Sequence, residues 1–331
     1  MGKGYVTAAE VAKRAGVSRS AVSRTFTSGA SVSREVRRKV EKAAKELGYR
    51  VNRIAQGLIS NRSSLVGVVG AHLADPFTAK QLDHLSLALL KRGMQCMLLN
   101  AAEAEQDIAP LIELILEFRV RAVVVLSGAP PTSIVNECLA CGVRLVLINK
   151  PTDDTHTDMI MSDDYTGAKL AAERLIAGDC RKVAVVTSGS GTQSQRRRSE
   201  RFSTLMQKAG AEVVSWSKGV TGYDAGAQAA RELLVQKDID GAFCVTDLLA
   251  LGFLDAARTE LGRNIPKDLS IIGFDDIPQA GWSAYRLTTI AQSFPDLTDA
   301  VMTALDRESD AEEVASQQVV PVRLVERSTA R

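Results

Sequence analysis

Two sets of residues in this chain have the types and spacing to do chemistry. In the first, Arg19, Ser20 and Arg24 fall on the outer face of a short helix whose Val17, Ala21 and Val22 turn inward. An arginine presented end-on can grip a guanine through two parallel hydrogen bonds to O6 and N7. Ser23, Thr27 and Ser33 are short hydroxyl donors of the kind that hold phosphates and set register. In the second set, polar residues stand where apolar runs end: Asp75 with Pro76 and Phe77, Asp163 with Asp164, Arg196 to Arg198, Asp247, Asp275 with Asp276, and Gln292. With few aromatics among them, these suit a polyhydroxylated or acidic small molecule. An acid at a strand end can equally cap the helix that follows, and both readings stand for each of them.

Other chemistries find less support. Asp275 and Asp276 are paired carboxylates, but no nucleophile, activated histidine or metal set accompanies them, so catalysis is not expected. The Ser188-Gly189-Ser190-Gly191 stretch lacks the Lys-Ser/Thr ending of a phosphate loop, which argues against nucleotide binding. Cys138 and Cys141 have redox-motif spacing, yet no second Cys or His pair lies at ligand spacing, and His72, His84 and His156 are scattered. No cofactor and no metal is expected. Five dispersed cysteines read as reduced thiols.

The elements that must position the first set lie between Thr7 and Leu47. Thr7 precedes Glu10 by three residues, the spacing of a capping box. The helix it opens carries Ala8, Val11, Ala12 and Ala15 and stops at Gly16. Ser18 can cap a second helix running to about Arg24, and Ser33 opens a third whose stripe is Val36, Val40, Ala43, Ala44 and Leu47. Two helices joined by a tight Ala-Gly-Val turn are the helix-turn-helix geometry, whose second helix enters the major groove. Charge agrees. Residues 1–62 hold fourteen Lys and Arg against four acids, a net of +10. The whole chain, with 41 basic and 39 acidic residues, is only +2, which leaves −8 for residues 63–331. A basic head on an acidic body is the footprint of a DNA-binding module attached to something else.

Beyond Leu47 the stretch 48–64 reads as a joint, where Asn52 can cap a short helix over Arg53 to Leu58. Six or seven residues make a helix too short to persist alone, so it should form only when DNA or a second copy holds it. From Leu65, short apolar runs alternate with amphipathic helices in two successive series. Continuous apolar strands each followed by a helix indicate parallel sheets buried on both faces, here two doubly wound α/β lobes. Ligands of such sheets bind beyond the carboxyl ends of the strands, which is where the second set of residues falls. No run of about eighteen apolar residues exists to span a membrane, and no apolar stretch follows Lys3 as a secretory signal requires. The expected location is the cytoplasm.

These pieces together resemble the LacI-type (lactose and purine repressor) bacterial transcription regulators, from about Val6 to Arg327. The resemblance rests on EVAKRAGVS followed by AVSR, on the AAKELGYRVNRIAQGL stretch, on GFDD and LTTI, and on the closing LVERST, in that order. It implies an all-α helix-turn-helix headpiece over residues 1–50, a hinge over 51–63 and a two-lobed, periplasmic-binding-protein-like body over 64–331. The first lobe is expected at about 64–162 plus 293–325, and the second at about 163–292. Base reading then maps to Arg19, Ser20 and Arg24, phosphate contacts to Thr7, Ser18, Ser23, Ser33 and Asn52, and a minor-groove wedge to Leu58 with Ala55 beside it. In the body the family's effector arginine matches Arg198 and its sugar-binding acid Asp275, while Phe77 and Gln292 match pocket-lining positions.

Departures bear on the effector. Thr246 replaces the asparagine common before Asp247, Ser162-Asp163 stands where Asp-Asn is frequent, and Arg201 replaces a glycine. Arg196 to Arg198 would concentrate positive charge at the cleft and lean toward an anionic effector, a sugar acid or sugar phosphate. No leucine heptad tail follows Glu326, so a homodimer on a palindromic operator is the expectation. The implied function is a repressor whose operator affinity is set by a small sugar-like molecule.

Overall fold

The computed structural model describes residues 5–27, 29–51, 63–102, 107–236, 238–307 and 315–331. Its internal contacts separate two compact units, residues 1–64 and 65–331. The hinge residues expected at Asn52, Ala55 and Leu58 lie outside the described residues.

The first unit is three helices, α1 (Ala8–Ala15), α2 (Arg19–Thr25) and α3 (Arg34–Leu47). The capping box forms: Thr7 Oγ1 accepts from the Glu10 N–H, and the Thr7 N–H donates to Glu10 Oε2 at 2.6 Å. Gly16 ends α1 in the left-handed conformation (φ 66°) that lets the chain turn into α2. Val11, Ala12, Val22, Val40, Ala43 and Ala44 make the core. Arg37 on α3 donates to the Thr25 carbonyl at 2.9 Å, tying the end of α2 to α3.

The second unit holds two six-stranded sheets. Strands β1 (Leu65–Gly70), β2 (Gln95–Asn100), β3 (Ala122–Val125), β4 (Arg144–Ile148), β5 (Asp158–Ser162) and β11 (Gln317–Val320) form one, in the order β11-β5-β4-β3-β1-β2 and parallel throughout. Strands β6 (Lys182–Thr187), β7 (Glu212–Ser217), β8 (Gly241–Cys244), β9 (Ser270–Asp275), β10 (Thr288–Gln292) and β12 (Val322–Val325) form the other, in the order β12-β10-β9-β8-β6-β7. Helices follow the strands, as buried parallel sheets require. The first sheet is covered by one apolar cluster around Leu85, Leu89 and Val301 and another around Ile112, Ile115 and Val125. The second is built around Phe202, Phe243 and Phe274.

The lobe boundary differs from the sequence expectation at one point. Residues 322–325 were expected in the first lobe, but β12 pairs antiparallel with β10 in the second. The change falls at Pro321, which has no N–H to continue a ladder. The chain end then stays with the second lobe, where Thr329 Oγ1 donates to the Ile271 carbonyl and accepts from the Thr288 N–H. The chain thus crosses between lobes three times: after Ser162, after Gln292 and after Val320.

Candidate functional site

In the small unit, Arg19, Ser20 and Arg24 are exposed on α2, while Val22 is fully buried beneath them. Thr7, Ser18 and Ser33 each occupy the N-cap of one helix, and their hydroxyl oxygens accept from Glu10, Ala21 and Val36 N–H groups. A cap uses the hydroxyl as acceptor and leaves its proton free, at a helix end where the dipole favours an anion. Among the described residues no acceptor takes the Ser33 proton, whereas the Thr7 hydroxyl donates to Glu10 Oε2 at 2.8 Å and Ser18 shares a hydrogen bond with Ser20. Thr27 donates to the Ser23 carbonyl, extending the exposed hydroxyl row past the end of α2.

In the body the centre is Arg198, 4 % exposed, on the helix Gln193–Lys208. Its Nε donates to Asp164 Oδ1 at 2.7 Å, and one terminal nitrogen donates to the Val245 carbonyl at 3.0 Å. The same nitrogen reaches Asp275 Oδ1 at 3.5 Å, so Asp164 is the closer partner. The guanidinium lies over the Phe274 ring at 3.5 Å. From Asp275 the network leaves the second lobe. Gln292 Nε2 donates to Asp275 Oδ1 at 2.7 Å, and Gln292 Oε1 accepts from the Ser162 hydroxyl and from Asn149 Nδ2. Asn149 in turn accepts from the Ser162 N–H at 2.8 Å. Buried polar atoms therefore link the carboxyl ends of β4 and β5 to those of β9 and β10, beside two of the three lobe crossings. On the first-lobe side Phe77 meets Phe294 with ring centroids 5.1 Å apart.

Burial drives the Asp275 carboxyl well above the usual carboxylate range; Arg198 opposes this, while Asp247 and Asp75 add to it. Asp275 and Asp276 also hold left-handed backbone (φ 124° and 55°), a strained pair of non-glycine residues. The Asp276 carboxylate is held by Arg327 at 2.6 Å.

The remaining expected contacts are placed elsewhere. Asp163 caps the helix Asp164–Ala177, accepting from the Thr166 N–H, and Asp75 caps Pro76–Lys91. Thr246 caps Asp247–Asp255. Arg196 is exposed and donates to the Gly191 carbonyl, so it does not join Arg198. Asp247, with no exposure, accepts from the Ile277 N–H and the Thr289 hydroxyl. It stitches helix to sheet: a Cβ on Gly273 would sit 2.2 Å from its carboxylate, which explains that glycine ahead of Phe274. Burial pushes Asp247 up to about 7 against those two hydrogen bonds. The clustering of arginine charge expected from Arg196 to Arg198 is thus corrected to one inward guanidinium, because consecutive helical residues point in different directions.

Sequence reasoning passed over Asn149 and Ser194. Ser194 lies one turn before Arg198 on the same helical face, buried, its hydroxyl without a hydrogen-bond partner among the described residues. The i, i+4 spacing to Arg198 was the available signal. Among the described residues no group of three or more His, Cys, Asp or Glu is placed to share a metal ion. No helix of the described residues is long and apolar enough to cross a membrane.

Comparisons with known proteins cover both units. Residues 7–52 match the model of the bacterial regulatory proteins of the lacI family, and residues 172–330 match that of the periplasmic binding protein-like domain. The N-terminal match is to the lacI family and the match in the body to the periplasmic binding protein-like domain. It is 27% identical over 290 residues to the HTH-type transcriptional repressor PurR of Haemophilus influenzae, covering 87% of this chain and 86% of the relative. It is 26% identical over 329 residues to a ribose operon repressor of Halalkalibacterium halodurans, covering 98% and 97%. Among solved structures, the lac repressor dimer bound to operator and the anti-inducer ONPF superposes with a TM-score of 0.87 at 26% identity, covering 98% of this chain and 99% of that one. The chain thus pairs a LacI-type helix-turn-helix headpiece with a two-lobed, periplasmic-binding-protein-like body.

Proposed function

We propose that this protein is a LacI-type regulator, a dimeric repressor whose grip on a palindromic operator is set by a small sugar-like effector held between its lobes. The observation that carries the reading is the exposed Arg19, Ser20 and Arg24 face on the second helix of a unit with net charge +10. Arg19, Ser20 and Arg24 read base edges; Ser18, Ser23, Ser33 and Asn52 hold phosphates, Thr7 and Thr27, whose hydroxyl protons go to Glu10 and to the Ser23 carbonyl, order the surface around them, and Leu58 with Ala55 enters the minor groove. Exposed Leu87 and Leu90 on the helix Pro76–Lys91, and Leu98 on the edge strand β2, supply apolar surface for a second copy. Two heads then meet half-sites about one helical turn apart.

Arg198, Asp275, Gln292, Ser194 and Phe77 form the effector site. An effector bridging the network between the lobes favours one lobe arrangement over the other, and a differential affinity of a few kcal/mol shifts most of the population. The test selects duplexes from a random pool with the full chain, then titrates the winner by gel shift at rising salt with and without sugars. A pseudo-palindromic winner whose affinity falls with salt and responds to a sugar supports the reading. Retention of no sequence above background rejects it.

A further inference from the structure

Arg198 is the one arginine of its run that turns inward: Arg196 and Arg197 are exposed, and Arg201 lies over the Tyr165 ring at 3.6 Å. Its charge is matched before any ligand arrives. Asp164, 5 % exposed, holds Nε at 2.7 Å; Asp275 stands 3.5 Å from a terminal nitrogen, and the field of Asp75 reaches Asp275. Around them are the neutral Gln292, Ser162 and Asn149. A phosphate or carboxylate entering here would compete with Asp164 for the guanidinium and face at least one buried acid of its own sign. Asp164 Oδ2 is buried and accepts from no donor among the described residues, and the buried Ser194 hydroxyl, which can donate or accept, has no partner among them either.

We infer that Asp164 is a specificity-determining counter-ion that excludes anionic effectors, so that the ligand is an uncharged polyhydroxylated molecule rather than a sugar acid or sugar phosphate. The inference rests on the effector reading above. Hydroxyl groups donate to the free carboxylate oxygen and need no charge compensation. Asp164 is also the first residue of its helix, where an acid is favoured by the dipole, so its position is stabilised independently of ligand.

The full chain is screened by thermal shift and calorimetry against D-ribose, D-glucose, D-galactose and cellobiose, and against their anionic counterparts ribose 5-phosphate, glucose 6-phosphate, galacturonate and cellobionate. At least one uncharged sugar should raise the melting temperature, and its anionic counterpart should not at ten times the concentration. In Asp164→Asn, affinity for that anionic counterpart should gain about tenfold or more relative to the uncharged sugar, the scale on which one nearby charge acts. Wild-type binding of an anionic compound as tight as its neutral counterpart overturns the inference without any variant, so a poorly folded Asp164→Asn leaves it testable. Unchanged selectivity in a folded Asp164→Asn overturns the role of Asp164. A chain that binds operator yet is stabilised by none of the eight compounds overturns the sugar reading, and the inference with it.

Discussion

The headpiece and the body solve opposite problems with the same residue types. In the headpiece, Arg19 and Arg24 are exposed above a core of valines and alanines, and their partner lies outside the protein. In the body, Arg198 is buried with its partners, Asp164 and Asp275, already in place. An exposed arginine contributes little to stability and much to binding. A buried one is held by its partners, and removing it leaves the Asp164 carboxylate that it pairs with uncompensated.

The sharpest way to break this contrast is Arg198→Ala. It strands Asp164 and Asp275 in the interior, and losing one partner of a buried pair costs about 3–5 kcal/mol. Urea denaturation should show the body destabilised on that scale, with effector response lost. Full stability in the variant would mean that Arg198 is no more balanced than a surface arginine.

The same contrast explains what could be read in advance. Headpiece geometry is local: Thr7–Glu10, Gly16, Ser18 and Ser33 are cap signals decided within one turn, and the helices they open lie where those signals put them. The body's apolar runs located its strands, because a strand buried on both faces has few alternatives. The site was harder. Asp163 and Asp164 are adjacent acids after one strand, yet the first caps its own helix and the second reaches Arg198, 34 residues away. Which neighbour turns inward depends on the rotation of the helix against the sheet, and pattern alone does not fix it. Asp247 shows the same limit. It follows a strand as a ligand-binding acid should, but its carboxylate is consumed by Ile277 and Thr289.

Asp247 gives a second prediction, read in pH. Burial raises its folded pKa to about 7, above the usual carboxylate value of 3.8. The folded state therefore holds the proton more tightly than the unfolded chain does. The stability this gives is fully present below about pH 4 and is lost as pH rises to about 7, with a slope of at most about 1.4 kcal/mol per pH unit. Asp247→Asn, uncharged at every pH, should flatten that part of the body's stability profile. An identical profile in both proteins would show that the acid ionises as an ordinary surface carboxylate.

On the headpiece side, Arg24→Ala should leave melting within about 0.5 kcal/mol of wild type, as exposed substitutions do. Operator affinity should fall by about 1–3 kcal/mol, the discrimination carried by one bidentate base contact, with specificity relaxed at one base pair of each half-site. A uniform loss across all sequences, with a reduced salt slope, would instead make Arg24 a phosphate contact.

The smallest effect tests whether the two regions differ as sharply as they look. Thr7 closes the capping box and also matches a phosphate-contact position of the family, but its hydroxyl proton is already given to Glu10. If capping is its main work, Thr7→Ala should cost the headpiece about 1 kcal/mol. Hydrogen exchange at the Val11 and Ala12 amides should report that loss, and Thr7→Ser should restore it. Operator affinity should then fall only as far as helix stability does, since the hydroxyl has no second proton to offer. Ser33 gives its hydroxyl proton to no acceptor among the described residues, so Ser33→Ala should lose more affinity than its lost cap explains. A Thr7→Ala protein with wild-type exchange rates but weakened operator binding would reverse that order. It would place Thr7 among the groups aimed outward with Arg24, and leave Glu10 to hold the helix start alone.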